Sequence, residues 1–286
     1  MKRLIITADD FGLSSGINRA VEQAWHDGLL TCASIMPGAG AFEEAADIAR
    51  RNPGLQVGLH LTLVQGHAVL PPADIPGLAD AEGNFSDNPV TAGIRYFFDR
   101  GLYFQLKREI EAQITRVLDA GIPLTHIDGH LNMHLHPTVF RILVELMPRY
   151  GITSFRLAQE RLLHNLRFDR ERKFGKTLEC LVFGLLTGHA RPELDRLGIR
   201  CAAEVKGVLN SGRMTEAYIL GILGGVREGL TEIYFHPGIL PDAEISRRMP
   251  DYRHQEELAA ITSKAVRERL KQLQVQVQNY RGEVKC

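Results

Sequence analysis

Residues 3–12 read RLIITADDFG: a β-branched run that passes directly into two adjacent carboxylates and then a glycine. A strand is expected over Arg3–Ala8. A helix follows over about Ser15–Asp27, with Ile17, Ala20, Val21 and Ala24 on one face and Gly28 at its end. Further along, strands are read at Thr31–Met36, Gln56–Leu63, Leu124–Asp128, Ser154–Leu157, Arg200–Lys206 and Glu232–Phe235, with an alternating run at Leu273–Tyr280. Between them fall helical patterns at Ala41–Arg51, Tyr103–Ala120, after Pro137, at Thr215–Glu228 and at Gln255–Leu270. Such alternation implies βαβ units around a parallel sheet, an α/β barrel folded as one domain over residues 1–286.

Two stretches break the pattern. Residues 65–100 are rich in Pro, Gly, Asp and Asn, and a structureless segment of that length suggests a functional loop or lid. Residues 160–190 are basic at first (Arg167, Arg170, Arg172, Lys173) and then apolar at helical spacing from Phe174 to Leu186. That second stretch reads as a lid helix packed on the barrel, with a lipid-contacting helix as the alternative.

Composition narrows the function. Of 286 residues, 44% are hydrophobic and 24% charged, which is ordinary globular usage. Lys+Arg and Asp+Glu are equal at 34 each, so no net basic field gathers nucleic acid. Cys32, Cys180, Cys201 and Cys286 show no paired spacing, which excludes a thiolate zinc knuckle and suits a reducing compartment. The apolar start is too short for a signal peptide and no run is long enough to span a bilayer, so a soluble cytoplasmic protein is expected.

The chemistry gathers at strand ends, which open onto one face of a parallel barrel. Strand one ends in Asp9-Asp10, strand three carries His60, strand four ends His126-Ile127-Asp128-Gly129-His130, and the seventh ends His236-Pro237-Gly238. Two adjacent acids can open a turn and cap a helix, but a cap uses one side chain. The pair therefore suggests one aspartate turned to a metal and the other beside it as a base. Period-two geometry puts His126, Asp128 and His130 on one face. Two histidines and a carboxylate from different strands make an ordinary divalent site, with Asp128 able to orient a liganding histidine from behind. The Pro-Gly after His236 would hold that imidazole rigidly at the rim, suited to acid–base work. His134 and His136 are read as equally suited to a site role or a loop role. Arg156 and Lys206 are candidates for substrate hydroxyls or charge, and equally for rim ion pairs. His26, His67, His164, His189 and His254 are read as surface residues.

Taken together, TADDFG at 7–12, GLHL at 58–61, HIDGH at 126–130 and HPG at 236–238 occur in an order that resembles the YdjC-like carbohydrate deacetylases, which include the chitooligosaccharide deacetylases. The likeness covers residues 3 to about 281, and the Asn88–Phe98 stretch is most similar to the hopanoid-biosynthesis-associated branch. It implies a distorted (β/α) barrel of the glycoside hydrolase/deacetylase type with seven or eight strands. It further implies one divalent metal ion (Mg or Zn, with Co, Ni or Mn as further candidates) on Asp10, His60 and His130, with Asp9 as base and His236 as general acid. Asp128, Arg156 and Lys206 are the expected substrate contacts. The implied reaction is hydrolysis of the acetamide of an N-acetylglucosamine-type sugar, an N-acetylglucosaminyl hopanoid among the candidates. The alternatives are hydrolysis of another amide or ester, or sugar binding without catalysis. The expected partners are such a sugar or glycolipid, peripheral contact with a membrane, and a second copy in a homodimer.

Overall fold

The computed structural model describes residues 1–285; Cys286 lies outside them. In chain order the first half runs β1 (Lys2–Phe11), α1 (Ser15–Asp27), β2 (Cys32–Ile35), α2 (Phe42–Arg51), β3 (Gln56–Leu61), α3 (Pro89–Phe98), α4 (Leu102–Asp119), β4 (Leu124–Gly129) and α5 (Pro137–Leu146). The second half runs β5 (Ser154–Phe155), α6 (Leu162–Asn165), α7 (Lys173–Arg196), β6 (Glu204–Lys206), α8 (Glu216–Ile222), β7 (Gly229–Phe235), α9 (Ala243–Arg248), α10 (His254–Thr262), α11 (Lys264–Gln272) and β8 (Val275–Val277).

All the strand pairings between these elements are parallel, in the order β5-β4-β3-β2-β1-β7-β6, with β8 on the first residues of β1. The sheet curls until Arg200, just ahead of β6, pairs in parallel with Ser154 of β5. This is the α/β barrel that the alternation implied, in the distorted form that the resemblance implied, with eight strands among the described residues. Its apolar core lies between strands and helices. Ile17, Val21 and Ala24 of α1 and Ile110, Ile114 and Val117 of α4 pack into it at no more than 0% exposure.

Differences from the sequence reading have local causes. Residues 65–100 are not structureless throughout: Asn88 accepts from the N–H groups of Val90 and Thr91, Pro89 opens the first turn, and α3 follows. The segment also buries Ile75, Leu78, Phe85 and Tyr96 in the main core. The helix expected over Gln255–Leu270 is two, because Ser263 leaves the helical backbone and caps α11 through Val266 N–H. Helix α9, capped by Asp242, stands in a stretch to which the sequence reading assigned no element. Helix α7 runs beyond residue 190 to Arg196.

Candidate active site

The barrel interior is polar where such barrels are usually filled with branched apolar side chains. Gly58 makes room for this: a Cβ there would lie 2.4 Å from the His126 ring. His126 in turn stacks on Tyr280 at 4.4 Å. At the centre is Arg156, 2% exposed. Its guanidinium forks onto Asp9 at 2.6 and 2.8 Å, reaches Asp128 Oδ2 at 2.8 Å, and donates from Nε to Glu232 Oε1 at 2.9 Å. It also lies 4.5 Å from the Tyr234 ring centre.

β1 supplies the two aspartates. Its register with β7 sets Thr7 opposite Tyr234 and Ala8 opposite Phe235, so Asp9 and His236 leave the sheet as neighbours. At Asp10 the backbone turns left-handed, with φ 61°, a conformation Asp tolerates better than most side chains. Consecutive strand residues otherwise point to opposite faces, and this turn lets both carboxylates line one cavity. Helix α1 does not need either of them, because Ser14 caps it by accepting from Ile17 N–H.

Asp10 Oδ1 lies 3.2 Å from His60 Nε2 and 3.2 Å from His130 Nδ1. Asp10 Oδ2 is buried with no hydrogen-bond partner. A buried polar atom left this way costs about 1–3 kcal/mol, more when charged. The ligand atoms of Asp10, His60 and His130 lie within 4.8 Å of one another and could hold a metal ion. Asp9, His60 and Asp128 form an equally compact group, but Arg156 already supplies its positive charge. The Asp10 group is the one short of a cation, and its oxygen and nitrogen donors suit a divalent ion.

Behind the ligands, Asp128 Oδ1 lies 2.8 Å from His60 Nδ1 and Asp128 Oδ2 accepts from Ser34 Oγ at 2.6 Å. This bond fixes the ring so that Nε2 faces Asp10. Burial works to lower the His60 pKa, but Asp128 and Asp10 outweigh it and push His60 up to about 10. Likewise, hydrogen bonds from His130 and His60 overcome burial and hold the Asp10 carboxyl well below its ordinary value.

His236 sits across the cavity with Tyr234 and Tyr252 edge-on to its ring at 5.6 and 5.0 Å. Burial lowers its pKa, against the opposing pull of Asp10 and Asp9. The His236 N–H donates to Glu257, and His254 Nδ1–H donates to the His236 carbonyl at 2.8 Å. Burial pushes Glu257 up to about 7.

Asp9, Asp10, His60, His130, Arg156 and His236 therefore meet around one cavity of about 390 Å³, in the size range of small-ligand sites. Other expected contacts differ. Asp128 is fully buried, its oxygens taken by Ser34, His60 and Arg156, and it does not line the cavity. Lys206 is 1% exposed, pairs with Glu204 at 2.9 Å, and does not line the cavity. Arg156 lines the cavity but is committed to three carboxylates. His134 and His136 donate to the carbonyls of Arg156 and Gly93 at 2.9 and 3.0 Å, so both are scaffold. His254, expected at the surface, is 2% exposed. Glu232 and Glu257 were not singled out at all. The alternation Glu232, Tyr234, His236 along β7 was the available signal for Glu232.

The buried histidines set an acid limit. Burial lowers His126 and His134 from 6.5 to about 4. A depressed folded pKa gives stability that is present above the unfolded value and lost as pH falls toward the folded one. These two histidines should therefore contribute a decline between pH 6.5 and 4, opposed over the same interval by Glu257, whose raised pKa adds stability as it takes up its proton. His134→Gln, which keeps a donor for the Arg156 carbonyl, should flatten that decline in urea midpoints. Equal slopes in both proteins would count against this assignment.

Comparison with known proteins places the chain. A carbohydrate deacetylase of Thermoanaerobacter pseudethanolicus is 26% identical over 283 residues, 98% of each chain. One from Brevibacillus brevis is 37% identical over 153 residues, 52% of this chain and 57% of its own length. The chain thus spans little more than half of that relative. A crystal structure from Enterococcus faecalis V583, a cellobiose-phosphate cleavage protein by its description, superposes with a TM-score of 0.76 over 98% of both chains at 24% identity, which bears on the fold alone. The family described as YdjC-like protein matches residues 3–272, and the chain belongs to that family.

Proposed function

We propose that the chain is a metal-dependent N-deacetylase that hydrolyses the acetamide of an N-acetylglucosamine-type sugar to acetate and a free amine. The observation that carries this reading is the partnerless Asp10 Oδ2, held with His60 and His130 in the same cavity as Asp9 and His236. Its relatives named carbohydrate deacetylase supply the substrate class.

Asp10, His60 and His130 would hold a divalent ion, Mg or Zn first among the candidates, which would supply a Lewis acid for the amide carbonyl and for a water molecule. Asp128 keeps the His60 donor nitrogen aimed. Asp9, oriented by the Arg156 fork, takes the proton of the attacking water. An amine leaves only when protonated, and His236 is assigned that nitrogen. The count closes when the proton that Asp9 removes from water returns to the departing nitrogen by way of His236, leaving acetate, the amine and both side chains as they began.

Asp9→Asn should retain bound metal while acetate release falls about 10²–10⁴-fold. Metal analysis and acetate assay of the same sample test this. Undiminished release would remove Asp9 as the base. Within the substrate class, the N-acetylglucosaminyl hopanoid of the branch resembled at Asn88–Phe98 is the proposed substrate, acted on in the cytoplasm. Mass spectrometry after incubation with N-acetylglucosaminyl lipid and with diacetylchitobiose decides it. Loss of one acetyl from the chitobiose alone would assign a soluble sugar.

A further inference from the structure

Helix α7 is apolar on two faces. Its inner face packs through Phe183, Leu186, Ala190 and Leu194 onto the core. Lys176, 2% exposed, ties that face down by donating to Asn165 Oδ1 at 2.9 Å, Asp169 Oδ2 at 2.9 Å and Asn210 Oδ1 at 2.7 Å. Its outer face carries Phe174, Leu178, Leu181 and Leu185, which are 91%, 62%, 61% and 70% exposed. These positions repeat at i, i+4, i+7 and i+11, one continuous stripe. Between Phe174 and Leu186 the only charged side chains are Lys176, buried beneath the helix, and Glu179, paired with Arg172 at 2.8 Å. A helix apolar all round is normally covered on all sides. Since the inner face is already anchored to the barrel, the outer stripe is left uncovered among the described residues.

Charge identifies what covers it. Residues 161–186 hold six Lys/Arg against three Asp/Glu, in a chain whose 34 basic and 34 acidic residues balance as a whole. Arg167, Arg170 and Lys173 are exposed just ahead of the stripe, and among the described residues none of them enters an ion pair. Exposed cations leading into an apolar stripe are the pattern of a helix lying in the interface of an anionic membrane. No helix among the described residues is long and apolar enough to cross one.

We propose that the outer face of α7, together with the basic run before it, docks on an anionic lipid bilayer. Arg172, Glu179 and Phe183 line the catalytic cavity, so docking holds its mouth against the bilayer surface. This inference is independent of the deacetylase reading, since lipid binding needs no turnover.

The test is flotation of the full chain with phosphatidylcholine vesicles containing about a quarter phosphatidylglycerol. The protein should float, bind less in high salt, and bind at least about tenfold more weakly to phosphatidylcholine alone. The triple variant Phe174→Asp, Leu178→Asp, Leu185→Asp should bind at least about tenfold more weakly while keeping the circular-dichroism spectrum and the Tm of the original chain. Reversing Arg167, Arg170 and Lys173 to Glu should erase the preference for anionic lipid. Absence of flotation, or equal flotation of the triple variant, would overturn the proposal. So would a wild-type dimer in sedimentation equilibrium that the triple variant dissolves, which would assign the stripe to a second copy.

Discussion

Asp10→Asn should leave the fold intact, fail to bind the ion, and lower acetate release by at least about 10³-fold, the scale of several kcal/mol of charge stabilisation. Asparagine suits the test because it tolerates the left-handed backbone that Asp10 adopts and differs from aspartate mainly in charge. What it removes is the negative charge of a carboxylate whose Oδ1 faces His60 and His130 and whose Oδ2 has no hydrogen-bond partner. The informative measurement is thermal unfolding with and without added metal. Wild type should gain stability on titration, about 2.7 kcal/mol at a hundred times the dissociation constant. Asp10→Asn should show almost none of that gain. An equal metal-induced shift in both proteins would place the ion elsewhere, and the Asp9–His60–Asp128 group would be the next to test.

How much of this was readable in the sequence depends on the range of each interaction. A parallel barrel carries the ends of all its strands to one face, so Asp9, Asp10, His60, His130 and His236 were recoverable from strand ends alone. The Asn88-Pro89 helix start was equally local, a cap followed by proline, yet the surrounding Gly and Pro masked it. His254 is the opposite case. It has no chemical neighbour in sequence, and its role exists only because α10 returns it to the His236 carbonyl. Glu257 bonds the His236 N–H in the same way. The function of Arg156 was hidden for a further reason: a lone arginine after a two-residue strand does not reveal that three carboxylates from β1, β4 and β7 converge on it.

That convergence predicts the largest loss of stability from a single change. Arg156→Met should fall by about 3–5 kcal/mol, on the order of 10 °C in Tm, and lose measurable acetate release. Methionine fills much of the space, so the cost is electrostatic: Asp9, Asp128 and Glu232 remain buried without the guanidinium that all three share. Arg156→Lys should not rescue activity, because one ammonium cannot fork onto Asp9 while also reaching Asp128 and Glu232. Glu232 is the carboxyl that relieves the strain. Burial already raises its pKa despite Arg156 and Tyr280, so it takes a proton first when the guanidinium is gone. Adding Glu232→Gln to Arg156→Met should therefore recover part of the lost stability. It should recover none of the activity, since Asp9 still lacks the two hydrogen bonds that orient it. Stability restored without rate separates orienting Asp9 from merely neutralising the interior, and restored rate would show that neutralisation was all Arg156 contributed.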